Sequence, residues 1–184
     1  MTALFTGRGD DGTTKTFGKD KPRIKKDSWQ TEALGACDEL NSFLGICKVK
    51  ARHLNVCGLK ASGLVHMVQE SLFIIQAELA GADKSIDPEK VKNMETIINA
   101  IEKKMPPIKS FFISGGTDLA SHFDVARTLA RKAERRIIGA VEAGEVSISD
   151  GTKSYINRLS SLLYALARFA NFDAGVGEKA PSYN

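Results

Sequence analysis

Five stretches of this sequence repeat apolar residues at helical spacing, and no other feature limits the possible folds so strongly. Apolar side chains that recur every three or four residues form one face of a helix, and that face must be buried against another element. The pattern predicts helices at about residues 28–49, 61–81, 88–104, 117–142 and 149–172. A weak strand candidate lies at 111–114. The sequence therefore predicts an all-α protein, an antiparallel five-helix bundle.

The remaining residues flank this predicted bundle. A length of 184 residues is typical of a single domain, so we expect residues 28–172 to form one bundle. Residues 1–27 are rich in glycine and form a predicted N-terminal arm. Residues 173–184 are predicted to form a mobile tail.

Composition excludes several classes of protein. The net charge of +4 is mild, and it does not indicate a nucleic-acid partner, which usually needs a concentrated basic patch. No apolar run approaches the roughly 20 residues needed to span a bilayer, and no signal peptide is recognisable. Cys37, Cys47 and Cys57 contain no C-x-x-C pair, so they indicate neither a zinc site nor a disulfide framework. We therefore expect a cytoplasmic protein without a membrane partner, in which Cys37 and Cys47 are core thiols.

The glycine-rich arm is a candidate phosphate-binding loop. Glycines allow backbone amides to approach an anion closely, and hydroxyl and ammonium groups add further donors. The candidate contacts are Thr6, Gly7, Arg8, Gly9, Thr13, Thr14 and Lys15, followed by Lys26. The arm lacks the Walker A pattern. A flexible arm with a solvated basic loop remains the alternative.

The fourth predicted helix carries a cationic face beside its apolar face. Arg127, Arg131, Glu134 and Arg135 are spaced i, i+4, i+7 and i+8, so at about 100° per residue they share one side of the helix. Arginines at the edge of a buried face suit a polyanion such as phosphate. A solvated face with local Glu–Arg pairs is the alternative interpretation.

Other polar residues interrupt the apolar faces, and the chain offers no obvious nucleophile. Asp38 and Asn41 lie on the first helix, where Asp38 either faces solvent or pairs with a cation. Asn157 on the fifth helix is either an exposed amide or a nucleotide contact. No H-E-x-x-H, E-x-x-H or G-x-S-x-G motif is present. Such a chain suits a reaction in which one substrate supplies the nucleophile and the protein stabilises a phosphate leaving group.

Three stretches together resemble the PduO-type ATP:cob(I)alamin adenosyltransferases. The first is TGRGDDGTTKTFG at residues 6–18, and the second is EALGACDELNSFLG at residues 32–45. The third combines FFISGGTDLASHFDVARTLARKAERR at residues 111–136 with YINRLSSLLYALARFAN at residues 155–171. The resemblance covers nearly the whole chain in the family's order and spacing. It implies a five-helix bundle that forms a homotrimer with active sites between subunits.

The resemblance also implies a reaction and its participants. The 5′-deoxyadenosyl group of ATP would pass to the Co(I) of reduced cobalamin, giving adenosylcobalamin and tripolyphosphate. Mg²⁺ would accompany the ATP phosphates, with Glu134 as a candidate ligand. The expected partners are ATP, cob(I)alamin or cob(II)alamin, a flavin-dependent reductase and an adenosylcobalamin-dependent enzyme. A non-catalytic carrier or sensor that binds ATP and cobalamin is the alternative.

Individual residues acquire roles from the same resemblance. Arg127 and Arg131 match arginines that hold ATP, and Asp38 matches a carboxylate that pairs with the first of them across a subunit boundary. Phe111 matches an aromatic residue packed below the corrin, where it would exclude the lower ligand of Co(II). Catalytic roles are thus expected for Arg127, Phe111 and Asp38, and cobalamin contacts for Phe111 and Asn41. ATP contacts are expected for Thr6, Gly7, Arg8, Gly9, Thr13, Thr14, Lys15, Lys26, Arg131, Glu134 and Asn157.

The chain departs from the family pattern at a few positions. Ser114 stands where the family often has proline, and Ser161 replaces a common acidic residue. Leu34 replaces a common aromatic residue. Gly7 and Arg8 stand where a basic residue and then threonine are usual, so a charge that contacts phosphate has moved by one position. These differences bear on affinity more than on the reaction.

Overall fold

The computed structural model describes residues 5–17 and 21–183 and consists mainly of five helices. They are α1 Trp29–Lys50, α2 Ala61–Leu79, α3 Pro88–Glu102, α4 Asp118–Glu142 and α5 Asp150–Asp173. These bounds confirm the predicted helical bundle. Within the described ranges, no helix combines the length and the apolar character needed to cross a lipid bilayer.

Four of the five helices begin at a residue whose side chain caps the first turn. Ser28, Asp87, Thr117 and Ser149 each accept a hydrogen bond from a backbone N–H two or three residues later. Such caps satisfy amides that lack a partner within the helix. They are the start signals on which the sequence prediction relied.

The short strands were not predicted. β1 (Thr13–Lys15) pairs antiparallel with β2 (Arg23–Lys25), and β3 (Asn55–Val56) pairs with β4 (Leu59–Lys60). Strands of two or three residues are too short to show alternation, and the second pair forms because Cys57 and Gly58 both adopt positive φ in the turn. The strand candidate at 111–114 is wrong, since this segment is irregular.

Ion pairs and hydrogen bonds define the direction of neighbouring helices. Lys50 at the end of α1 lies 2.7 Å from Asp118 at the start of α4, while Glu32 near the start of α1 reaches Arg136. The helices α1 and α4 therefore run antiparallel. By the same reasoning α4 and α5 are antiparallel, because Asn171 contacts Thr117 and Asn157 contacts Glu134.

Helix α3 runs in the same direction as α5. Glu95 on α3 accepts a hydrogen bond from Arg158, and the carbonyl of Pro106, just beyond α3, accepts one from Arg168. The connection from α3 to α4, residues 103–117, consequently lies at the end of the bundle where α5 ends. This connection forms part of the candidate site.

The predicted core thiols are buried. Cys37 and Cys47 are fully buried, and burial raises the pKa of both thiols to about 12. They therefore remain protonated and unreactive at neutral pH. His66 lies on the surface of α2 beside Glu70, because its position falls between the buried positions of the helix.

Candidate functional site

A cavity of about 810 Å³ lies where the α3–α4 connection, α4, α5 and the C-terminal tail meet. Its wall includes Phe111 from the connection and both predicted arginines of α4, Arg127 and Arg131. Tyr164 on α5 and Glu178 in the tail complete the wall. The cavity thus combines an apolar rim with guanidinium groups, a combination suited to a ligand that has both a flat apolar part and phosphates.

Arg127 is held in one orientation by two neighbours. Its Nε lies 3.5 Å from Oδ1 of Asp124, and its guanidinium carbon lies 5.9 Å from the centre of the Tyr164 ring. Burial raises the pKa of Tyr164, so its phenol stays neutral at neutral pH. The buried Nε of Arg127 has no hydrogen-bond partner in the described part of the chain. The position of the oriented guanidinium group in the cavity wall suits the binding of an anion.

Glu134 and Asn157, predicted to lie near the nucleotide, are brought together by the α4–α5 contact. Asn157 Nδ2 donates to Glu134 Oε1 at 2.8 Å, and Asn157 Oδ1 accepts from Arg158 Nη1 at 2.7 Å. Arg158 also donates to Glu95 on α3. This chain of contacts fixes which end of the Asn157 amide faces Glu134. The described residues contain no group of three side chains that could hold a metal ion by themselves.

The α3–α4 connection presents Phe111 and is fixed at its glycines. The Phe111 side chain is 81% exposed, which is unusual for a large aromatic residue in a cavity wall. Asn171 on α5 donates to the Gly115 carbonyl at 2.8 Å and accepts from the Thr117 amide at 2.8 Å. The Gly115 amide also donates to Asp124. The segment that ends in these glycines is therefore tied to α4 and α5.

The arm is organised around Thr13. Its hydroxyl donates to Asp11 Oδ1 at 2.7 Å and accepts from Arg23 Nε at 2.6 Å, and its carbonyl accepts from Arg23 Nη2 at 2.8 Å. The hydrogen bonds from Thr13 lower the pKa of Asp11. Sequence reasoning missed Asp11 and Arg23, although Asp two residues before Thr is a recognised turn signal. The Thr13 hydroxyl is already engaged on both sides.

The other predicted arm residues surround this turn. Lys26 Nζ donates to the Gly9 carbonyl at 2.7 Å, and a Cβ on Gly9 would lie 3.2 Å from that nitrogen. Thr6 accepts a hydrogen bond from the Arg8 amide at 3.5 Å, and Gly7 has a φ of 65°. Thr14 and Lys15 belong to β1. The arm therefore has a defined conformation in its described part, and Gly18 lies outside the described residues.

The predicted pair between Asp38 and Arg127 is not made within the chain. Asp38 is exposed on α1, and no hydrogen bond or ion pair involving it is found in the described part of the chain. Arg127 lies beside Asp124 instead. Asn41 is buried, and its Oδ1 lacks a hydrogen-bond partner among the described residues. Contacts of Asp38 and Asn41 with another subunit or with cobalamin therefore stay predictions.

Within one chain, the arm and the cavity lie at opposite ends of the bundle. Beside the arm, Gln30 at the start of α1 contacts the end of α2 and Glu145, just beyond α4. The cavity lies where α4 begins and α5 ends. None of the described arm residues lines it. A single chain does not bring the candidate phosphate loop to Arg127 and Arg131.

Known proteins are similar to this chain in both sequence and fold. The family model for cobalamin adenosyltransferase matches residues 4–170. The corrinoid adenosyltransferase PduO of Salmonella typhimurium is 37% identical over 179 residues, which cover 94% of this chain and 51% of that protein. The corrinoid adenosyltransferase of Bacillus subtilis is 35% identical over 180 residues, covering 95% and 90%. The chain thus spans about half the length of the PduO relatives and most of the Bacillus relative.

Solved structures give the same result. A variant PduO-type ATP:corrinoid adenosyltransferase from Lactobacillus reuteri, complexed with cobalamin and ATP, superposes with a TM-score of 0.87 at 30% identity. The match covers 98% of this chain and 97% of that one. Another variant from the same organism, complexed with ATP, gives a TM-score of 0.84 at 31% identity. The chain therefore belongs to the cobalamin adenosyltransferase family.

Proposed function

We propose that this protein transfers the 5′-deoxyadenosyl group of ATP to the Co(I) of reduced cobalamin. The observation that carries the proposal is the cavity in which Arg127 and Arg131 share a wall with the exposed Phe111. Membership of the family supports the same reaction, because its solved members include enzymes complexed with cobalamin and ATP. No protein nucleophile is required for this reaction.

In the proposed reaction, Co(I) supplies the electron pair that forms the bond to C5′ of ATP. The bond between C5′ and its oxygen breaks, and its electrons leave with tripolyphosphate. Negative charge therefore grows on the leaving group, and no proton has to be moved. Preorganised cations next to that charge lower the barrier. Arg127, oriented by Asp124 and Tyr164, meets this requirement.

Neither Glu134 nor Asn157 lines the cavity, so Mg²⁺ would be held mainly by the substrate. Mg²⁺ usually retains several waters and binds phosphates together with one or two carboxylates. Glu134 offers one carboxylate beside Asn157, and this is the donor set expected when ATP supplies most ligands. Bound Mg²⁺ would neutralise phosphate charge during departure of tripolyphosphate. Glu134 and Asn157 would then orient the nucleotide.

Phe111 is proposed to exclude the lower ligand of cobalamin. A large apolar side chain below the corrin denies water and the nucleotide base a place on the cobalt. Four-coordinate Co(II) is easier to reduce to the nucleophilic Co(I). The electron must come from outside the protein, and a flavin-dependent reductase is the proposed source. An adenosylcobalamin-dependent enzyme is the proposed recipient of the product, and free thiols at Cys37 and Cys47 support a reducing, cytoplasmic location.

We propose that the active unit is a homotrimer with sites between subunits. The arm of one chain and the cavity of the same chain are at opposite ends of the bundle, so a neighbouring chain would have to supply the arm. Asp38 has no partner within its own chain in the described residues, and it would reach Arg127 of another subunit. Closed symmetric assembly repeats such a contact at each interface.

Subunit mixing tests the shared site. We expect Lys26→Ala to damage the arm and Arg127→Lys to damage the cavity, so that each variant alone has low activity. If the trimers form from a refolded equimolar mixture at random, about one quarter of the interfaces combine an intact arm with an intact cavity. Transfer activity should then recover to about one quarter of the wild-type value. Mixing each variant with itself is the control, and no recovery in the mixture would contradict sites built from two subunits.

A spectral assay tests the transfer itself. The protein is mixed with MgATP and chemically reduced cobalamin, and the light-sensitive absorption spectrum of adenosylcobalamin is followed. We expect product to form at a rate proportional to the concentration of the protein, and none to form without ATP. Binding of both ligands without product would contradict the proposed function and favour a non-catalytic carrier or sensor.

A further inference from the structure

Arg168 near the end of α5 is the most deeply buried cation in the described part of the chain. Its side chain is only 6% exposed, and it forms a two-point contact with Glu178 in the tail. Nε donates to Oε1 at 2.5 Å and Nη2 donates to Oε2 at 2.8 Å. Nη2 also donates to the carbonyl of Pro106 at 3.1 Å. Two parallel hydrogen bonds between guanidinium and carboxylate fix the relative position of both groups.

These contacts join the tail to the segment that carries Phe111. The guanidinium of Arg168 lies 5.4 Å from the centre of the Phe112 ring. On the other side of Phe112, the Ile113 amide donates to the carbonyl of Lys179 at 2.8 Å. The segment is therefore held before and after Phe111, at Pro106 and at Ile113, while Phe111 itself remains exposed to the cavity.

The tail has few other attachments in its described part. The sequence predicted a mobile tail from residue 173, and its mobility stays a prediction. The Val176 amide donates to the Asn171 carbonyl, and the Lys179 carbonyl accepts from Ile113. Glu178 supplies the one ionised side chain that joins the described tail to the bundle. Loss of this carboxylate would leave the described tail attached through backbone hydrogen bonds and Arg168 without its charged partner.

We propose that Glu178 is a positioning residue for the transfer reaction. By binding Arg168, it holds residues 176–179 against the α3–α4 connection and so fixes Phe111 in the cavity wall. This inference rests on the proposed function, and it assigns the tail a part in that function. Both carboxylate oxygens of Glu178 accept hydrogen bonds from Arg168, so Glu178 supports the cavity wall and is not proposed to bind a reacting group. Its effect passes through the backbone of Ile113 and the ring of Phe112.

The first test measures the contact without relying on catalysis. Hydrogen exchange of the Ile113 amide is followed by mass spectrometry in the full chain, since this amide is protected by the Lys179 carbonyl. We expect exchange to be faster by about tenfold or more in Glu178→Ala and by less in Glu178→Gln, which keeps one acceptor. Asp173→Asn is the matched control, because it removes an exposed carboxylate at the end of α5 outside the cavity.

The second test measures the reaction. We expect Glu178→Ala to lower kcat about 10- to 100-fold, because a small displacement of a group at the reacting centre has effects of this size. The KM for ATP should remain within about twofold, since the arm and Arg131 are untouched. The fraction of four-coordinate cob(II)alamin in the ATP complex, read by electron paramagnetic resonance, should fall in the same order as kcat. Asp173→Asn should match the wild type.

Each outcome decides the proposal. Unchanged exchange at Ile113 in Glu178→Ala would show that the pair does not hold the tail. Faster exchange together with wild-type kcat and an unchanged four-coordinate fraction would show that the held tail does not position Phe111. A wild-type protein that forms no adenosylcobalamin would overturn the proposed function, and with it the positioning role. The exchange result would then still report whether Glu178 holds the tail, so the two failures are distinguishable.

Discussion

Replacing Arg127 by lysine is expected to lower kcat about 100-fold, because it removes a preorganised guanidinium from the leaving group. Arg127 lines the cavity and is oriented by the Asp124 carboxylate and the Tyr164 ring. Lysine keeps the charge, but its ammonium is neither planar nor able to bind phosphate with two parallel hydrogen bonds. The substitution should therefore reduce stabilisation of the transition state more than it reduces the stability of the fold.

The measurement is the rate of adenosylcobalamin formation at saturating ATP and cobalamin. Arg136→Lys is the matched control, because Arg136 lies on the same helix, pairs with Glu32 on α1 and lies outside the cavity. The control should retain wild-type kcat. The free energy of unfolding of both variants should lie within about 1 kcal/mol of the wild-type value. A wild-type kcat in the Arg127→Lys enzyme would contradict the role proposed for Arg127.

Helix positions were predictable from the sequence because local signals determine them. Ser28, Asp87, Thr117 and Ser149 cap helices whose apolar faces follow at regular spacing. The packing of α3 against α5 was not predictable in this way. This packing depends on which helix faces meet. The connection at residues 103–117 is irregular, so no periodic pattern in its sequence predicts where it runs.

The sequence predicted the cations of the candidate site but not the contacts that hold the surrounding segments in place. Arg127 and Arg131 stand out because charged residues adjoin an apolar face at helical spacing. Arg168 has the same local appearance, yet it is buried, because its partner Glu178 lies in a segment without any regular pattern. Arg23 lies in a basic run for which a solvated loop was the alternative interpretation, and it binds Thr13 across a pair of short strands. Such contacts depend on the tertiary positions of Arg168 and Arg23, and the residues next to them in sequence do not determine those positions.

Gly116→Ala is expected to destabilise the fold by about 3 to 5 kcal/mol, because the site has neither the backbone conformation nor the space for a methyl group. Gly116 has a φ of 107°, and an added Cβ would lie 2.5 Å from Asn171 Oδ1 and 2.8 Å from Cγ. Asn171 is itself fixed, since it binds the Thr117 amide and the Gly115 carbonyl. Relief of the clash must displace this side chain and weaken both hydrogen bonds.

Denaturant unfolding of three further variants separates the effect of backbone strain from that of the clash. Gly144→Ala is the control, because Gly144 also has positive φ (72°) but has open space around its Cβ position, and it should lose only about 1 to 2 kcal/mol. If the clash dominates, Gly116→Ala combined with Asn171→Ala should be less destabilised than the sum of the single variants, by about 1 kcal/mol or more. Additive losses would assign the effect to backbone strain alone. Because the displaced loop also carries Phe111, we expect the folded fraction of Gly116→Ala to transfer the adenosyl group more slowly than Gly144→Ala.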